Sequence, residues 1–107
     1  MSFARCAIFV VCAAALVPAA VHPVSAQDAA APYKSRCQVC HGAEGKGDGP
    51  AGQKMGAPDF HSPAVAKAPD SELFQTIKQG KNKMPRYEGK LTDTEINQLV
   101  GYIRSLK

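Results

Sequence analysis

Ile96, Leu99, Val100 and Ile103 recur at i, i+3, i+4 and i+7, the spacing of one helical face. Thr92 and Glu95 stand ahead of them in the order of a capping box, with Leu91 placed to staple onto Ile96. The pattern predicts a helix that begins at Thr92. A second stretch, 70–79, puts Leu73, Phe74 and Ile77 on one face. Asp70, Ser71 and Glu72 supply acid and caps to its first turn, Lys78 sits near its end, and Gly80 suits the stop. A further helix is expected over 28–40, with Asp28 as its cap and Pro32 early enough to be tolerated. Between these segments, 41–58 reads as loop, crowded by Gly42, Gly45, Gly47, Gly49, Gly52 and Gly56. That density marks tight turns and close backbone approach, here read as backbone wrapped around a flat ligand edge. Strand alternation is weak throughout. The expected class is all-α, with three main helices and long loops. Such loops count against a compact domain unless something else fills its interior.

The start of the chain bounds the compartment. Residues 1–5 carry one positive charge, 6–21 are apolar, and Val24-Ser25-Ala26 offers small residues at cleavage positions. This is the layout of a secretory signal peptide cut after Ala26. The apolar run is short for a membrane span, and Pro18 and Pro23 interrupt its end. The expected organisation is a cleaved leader at 1–26 and one domain at 27–107, exported to a space such as the bacterial periplasm. Cys6 and Cys12 leave with the leader, so only Cys37 and Cys40 remain. Two cysteines so close staple almost nothing, and a domain of this size is near the lower limit for a self-sufficient core.

Cys37-Gln38-Val39-Cys40-His41 answers that shortage. C-x-x-C-H reads as a site of c-type haem attachment. Two thiols about one helical turn apart have roughly the reach to meet both haem vinyls, and the next residue supplies an imidazole for the iron. The same C-x-x-C also suits a redox-active dithiol, which prefers a βαβ setting not seen here. Half a zinc site is a poorer fit, because two further ligands would be needed and only His41 and His61 are available as histidines in 27–107. The glycine-rich loop lacks the G-x-x-x-x-G-K-[ST] pattern of a phosphate cradle.

Taken together, four pieces in order resemble a small class I c-type cytochrome of the bacterial monohaem kind: Cys37-Gln38-Val39-Cys40-His41-Gly42, Gly45-Lys46-Gly47-Asp48-Gly49-Pro50, Lys83-Met84-Pro85-Arg86-Tyr87 and Leu91-Thr92-Asp93-Thr94-Glu95-Ile96. The resemblance covers nearly all of 27–107. It implies a cytochrome c fold around one covalent haem c, with His41 as proximal ligand and Met84 as distal ligand. It also implies that the Pro58 carbonyl receives the other ring nitrogen of His41, a contact that fixes ring orientation and basicity. Ala29 and Tyr33 match positions that pack against Leu99 and Tyr102. Met55 and His61 are the competing distal ligands. Met55 reads as an ordinary side chain and His61 as a surface or loop histidine. Phe60, Leu73, Phe74, Ile77 and Tyr87 are the candidate apolar haem shell, although several would also pass as plain core.

The implied activity is one-electron transfer rather than catalysis. Histidine and methionine together fill the iron's coordination sphere, and the soft thioether raises the reduction potential. The chain carries a formal net charge of +4. Lys78, Lys81, Lys83, Arg86 and Lys90 gather around Met84, with Glu88 opposing them. A basic rim there would steer an acidic redox partner at low salt, and nucleic acid is a poor partner for an exported protein. The rival functions are a five-coordinate haem enzyme or gas sensor, a dithiol protein without haem, and a dedicated cytochrome subunit of a larger oxidoreductase.

Overall fold

The computed structural model describes residues 26–107, together with Ala15 and Pro18. The expected leader therefore lies almost wholly outside the described residues. Those residues form a 3-10 turn at Ala26–Ala29 and six helices: α1 (Ala30–Arg36), α2 (Gln38–His41), α3 (Gly52–Met55), α4 (Pro63–Ala66), α5 (Asp70–Gln79) and α6 (Asp93–Ser105). Two isolated β-bridges, Lys81 with Met84 and Glu88 with Leu91, are the extended pairings. None of the helices is long and apolar enough to cross a membrane.

α6 starts as its sequence dictates. The Glu95 N–H donates to Thr92 Oγ1 at 3.2 Å, and the Thr92 N–H donates to Glu95 Oε2 at 2.7 Å. The box satisfies donors that a helix start would otherwise leave open. Ile96, Leu99, Val100 and Ile103 are all buried, the first two completely, and Leu91 is buried beside them in the same core. Each such side chain contributes about 2 kcal/mol of hydrophobic stabilisation. Their partners come from the other end of the domain. Ala29 and Tyr33 are buried in the same cluster, and the Tyr33 ring lies 5.0 Å from that of Tyr102, tilted by 49°.

α5 also agrees with its pattern, and Gly80 ends it in a positive-φ conformation, donating its N–H to the Thr76 carbonyl at 2.9 Å. Its start differs from expectation. Pro69 occupies the N-cap position and no side chain caps the turn. Asp70 instead accepts from Arg104 Nε at 3.0 Å. Arg104 also donates to the carbonyls of Val65, Ala66 and Ala68, at and just beyond the end of α4. One arginine of α6 thus anchors both α4 and α5.

The single helix expected over 28–40 is broken. Asp28 lies inside the 3-10 turn and caps nothing; Ala29 takes the N-cap position of α1 without a side-chain bond. α1 then stops at Arg36, and α2 begins after Cys37. The N–H groups of Cys40 and His41 both converge on the Cys37 carbonyl, at 3.2 and 2.9 Å. The α-helical register is therefore interrupted at Cys37, the first residue of the C-x-x-C-H motif. The glycine-rich stretch is also not pure loop, since α3 lies within it.

Candidate functional site

α2 carries most of the motif. Cys37 sits at its N-cap position, and both cysteines are of intermediate exposure. A helix this short leaves its last carbonyls open, and the glycine-rich segment closes them. Gly42 donates to the Gln38 carbonyl at 2.9 Å, Ala51 to Val39 at 3.0 Å, Gly49 to Cys40 at 3.2 Å and Gly47 to His41 at 2.9 Å. The approach is so close that a Cβ at Gly52 would collide with the Cys40 carbonyl, and one at Gly49 with those of Val39 and Gln38. The backbone approach predicted by the glycines is therefore toward the motif's own backbone.

His41 is buried at the end of this turn. Phe60 stacks on its ring at 4.6 Å, with 26° between planes, held by its own N–H donating to the Gly45 carbonyl at 2.8 Å. Burial pushes the imidazole pKa down, and the nearby Pro58 carbonyl pulls it back up. Pro58 is thus brought to His41, although Nδ1 finds no partner in good hydrogen-bond geometry.

Met84 packs against the core, in a turn closed by two backbone bonds. Its N–H donates to the Lys81 carbonyl at 2.9 Å, and the Lys81 N–H donates to its carbonyl at 3.2 Å. Asn82 supplies the left-handed residue of this turn, with φ of 52°. The segment beyond is fastened to the end of α5 by Tyr87 N–H to Ile77 O at 3.2 Å and Glu88 N–H to Lys78 O at 3.0 Å. A Cβ on Gly80 would stand 2.7 Å from the Met84 carbonyl, so only glycine lets α5 turn into this segment.

The expected shell falls into a distinct class. Ile77 is buried, but Cys37, Phe60, Leu73, Phe74, Met84 and Tyr87 are all half-buried and packed against the core. An ordinary core side chain is covered on all sides. Here a set of apolar groups borders one cluster together with a thiol and a thioether. Burial pushes the Cys37 thiol up to about 11, with Cys40 adding to the shift and Arg36 opposing it. A dithiol nucleophile needs the opposite shift, toward thiolate. An apolar group anchored through sulfur fits this donor set better than thiol–disulfide exchange does.

The competing ligands are occupied elsewhere. Met55 is 50% exposed at the end of α3. His61 has both ring nitrogens engaged, Nδ1 with Asp59 Oδ1 at 2.8 Å and Nε2 with the Leu106 carbonyl at 3.2 Å. The basic rim needs correction, because Asp93 opposes it as well as Glu88. Lys78 Nζ pairs with Asp93 at 3.0 Å and Arg86 with Glu88 at 2.8 Å. Among the described residues, Lys81, Lys83 and Lys90 make no ion pair. Two tyrosine hydroxyls went unread in the sequence. Tyr33 Oη donates to the Gly42 carbonyl at 2.6 Å in the interior, and Tyr87 Oη donates to the Arg36 carbonyl at 3.1 Å. Burial raises the pKa of both, which keeps them neutral donors. The signal available was only that a buried tyrosine hydroxyl usually needs an acceptor.

Residues 24–103 match the family described as cytochrome c oxidase, cbb3-type, subunit III. The chain is 36% identical over 76 residues to the cbb3-type cytochrome c oxidase subunit FixP of Bradyrhizobium diazoefficiens, which takes in 69% of this chain and 25% of that protein. The chain thus spans about a quarter of the length of this curated relative. Among solved structures, the KustC0563 c-type cytochrome superposes with a TM-score of 0.67 at 30% identity, covering 74% of this chain and 96% of that one. A tyrosine-to-phenylalanine mutant of the same cytochrome gives 0.66 at 29% identity, covering 75% and 99%.

Proposed function

The chain belongs to the c-type cytochromes of the cbb3-type oxidase subunit III family, and on that premise we propose that it is an exported one-electron carrier with His/Met ligation. Haem c, when bound, supplies a one-electron iron couple. In this reading Cys37 and Cys40 would hold the group through thioethers, and His41 and Met84 would supply the protein ligands to its iron. The observation that carries the reading is the half-buried set of Phe60, Leu73, Phe74, Met84 and Tyr87 packed against one core, with Cys37 among them.

Each residue has a physical task. His41 is fixed by Phe60 on its face and by the amide of Gly47 on its own carbonyl. The Pro58 carbonyl beside its ring would favour the tautomer that leaves Nε2 for metal. The closed turn of Lys81 and Met84 limits how far the thioether can wander. With His41 and Met84 both committed to the iron, a substrate would have no place on it, and this favours a carrier over an enzyme or gas sensor. Lys81, Lys83 and Lys90 would meet an acidic partner, with Lys78 and Arg86 partly neutralised by their own ion pairs. The proposed site of action is the periplasm, after cleavage behind Ala26.

A second reading has one specific support, the likeness to an oxidase subunit. There the domain would serve as the cytochrome subunit of a larger oxidoreductase, and it would copurify with that partner at stoichiometric yield.

The test is the ferric protein, exported and matured. The expected mass is that of residues 27–107 plus one haem. The expected spectrum has the weak far-red sulfur-to-iron band, absent in Met84→Ala. The potential should fall in that variant, within the roughly 0.8 V that axial ligation spans. Attached haem without the band would overturn Met84 ligation. No covalent haem would return the dithiol reading.

A further inference from the structure

The break in the first helix leaves one carbonyl to be accounted for. In an unbroken helix the Arg36 carbonyl would receive the N–H of Cys40. That N–H turns instead to the Cys37 carbonyl, at 3.2 Å. The Arg36 carbonyl accepts from Tyr87 Oη at 3.1 Å, across 51 positions of sequence. Tyr87 belongs to the segment that carries Met84, and its backbone is fixed on both sides. Its N–H donates to Ile77 O at 3.2 Å, and its carbonyl accepts from Lys90 and Leu91, each at 2.9 Å. Its ring packs on the core, with Lys90 Nζ 6.0 Å from the centroid. Among the described residues, this hydroxyl makes the one hydrogen bond that joins segment 80–90 to segment 26–42.

We infer that Tyr87 is a positioning residue for the distal ligand: its hydroxyl fastens the Met84 segment to the helix break beside Cys37, and so fixes the spacing between the two halves of the haem site. This rests on the His41/Met84 reading. The hydroxyl is suited to the task because its donor is neutral and its ring is rigid, so little freedom is lost when the bond forms. The carbonyl it uses exists as a free acceptor only because the helix stops at Arg36. The broken helix and the tyrosine are thus two parts of one device.

The equilibrium that reports on this latch lies between Met84 on the iron and Met84 displaced by an added ligand. Tyr87→Phe removes the bond and keeps the ring. Ferric holoprotein would be titrated with imidazole, following loss of the sulfur-to-iron band. The expected result is an apparent imidazole affinity about fivefold higher in Tyr87→Phe, the factor that one neutral hydrogen bond is worth. Amide exchange at Met84 and Tyr87 should quicken while that of α6 stays unchanged. Thr92→Ala serves as the control, because it weakens the fold without touching the latch. Equal imidazole affinity in Tyr87→Phe and the unsubstituted protein would overturn the latch alone. An equal rise in Thr92→Ala would also overturn it, by showing that general loosening is enough. A band missing before any substitution is made would overturn the Met84 reading itself, and the latch with it.

Discussion

Where α6 meets the 3-10 turn and α1, side chains make the contact: Ala29 and Tyr33 lie against Ile96, Leu99, Val100 and Ile103. Where α2 meets the glycine-rich loop, backbone makes it: four amides reach the carbonyls of residues 38–41, and two glycines leave no room for a Cβ. The first seam tolerates exchange of one apolar shape for another at modest cost. The second has no side chains to exchange. Its stability comes from hydrogen-bond geometry and from the absence of atoms. The seam of side chains holds the domain together, whereas the seam of backbone holds the chemistry in place.

The sharpest way to break this contrast is at Leu99, which is completely buried. Leu99→Ala should cost about 4 kcal/mol of unfolding free energy, visible as a lower midpoint in denaturant with little change in how His41 is held. Gly52→Ala should cost about 3 kcal/mol, since the added Cβ runs into the Cys40 carbonyl. Its signature is the reverse: poor haem incorporation and a disturbed C-x-x-C-H turn, with helix content by circular dichroism nearly kept. If Gly52→Ala matured normally, the backbone seam would be looser than its geometry states. Thr92→Ala removes half of the capping box and should cost about 1 kcal/mol, read in the same denaturant series and confined to the start of α6.

The side-chain seam was legible in advance, and the backbone seam only in part. The stripe from Ile96 to Ile103 announces its face because burial follows the helical period. The box of Thr92 and Glu95 announces its start because two specific side chains must satisfy two specific donors. The glycines of 42–56 announced close approach but not its object, because glycine encodes permission and not a partner. Asp28 misled, since an acidic residue near a helix start suits both a cap and an exposed turn. The break at Cys37 left no trace, because the residues around it are tolerated in helices. α3 and α4 are too short to show a period, though Ser62-Pro63 carries the proline that suits a first helical position. Leu73, Phe74 and Ile77 were legible as one face because their spacing is periodic. Their division into half-buried and buried was not, since that depends on what lies across from the helix. Arg104 stayed hidden because three of its four partners are carbonyls, and carbonyls have no letter in the sequence.

The contact of Ala29 and Tyr33 with α6 joins almost the first described residues to almost the last. Folding must therefore close the longest loop the domain offers before its main reward arrives, an order that slows nucleation and disfavours partial structures. A chain emerging from its amino end has no surface on which to bury Tyr33 until Ile96 and Leu99 have followed. Through that interval the segment that carries Cys37 and Cys40 gains nothing from the core, and α1 docks only when α6 arrives.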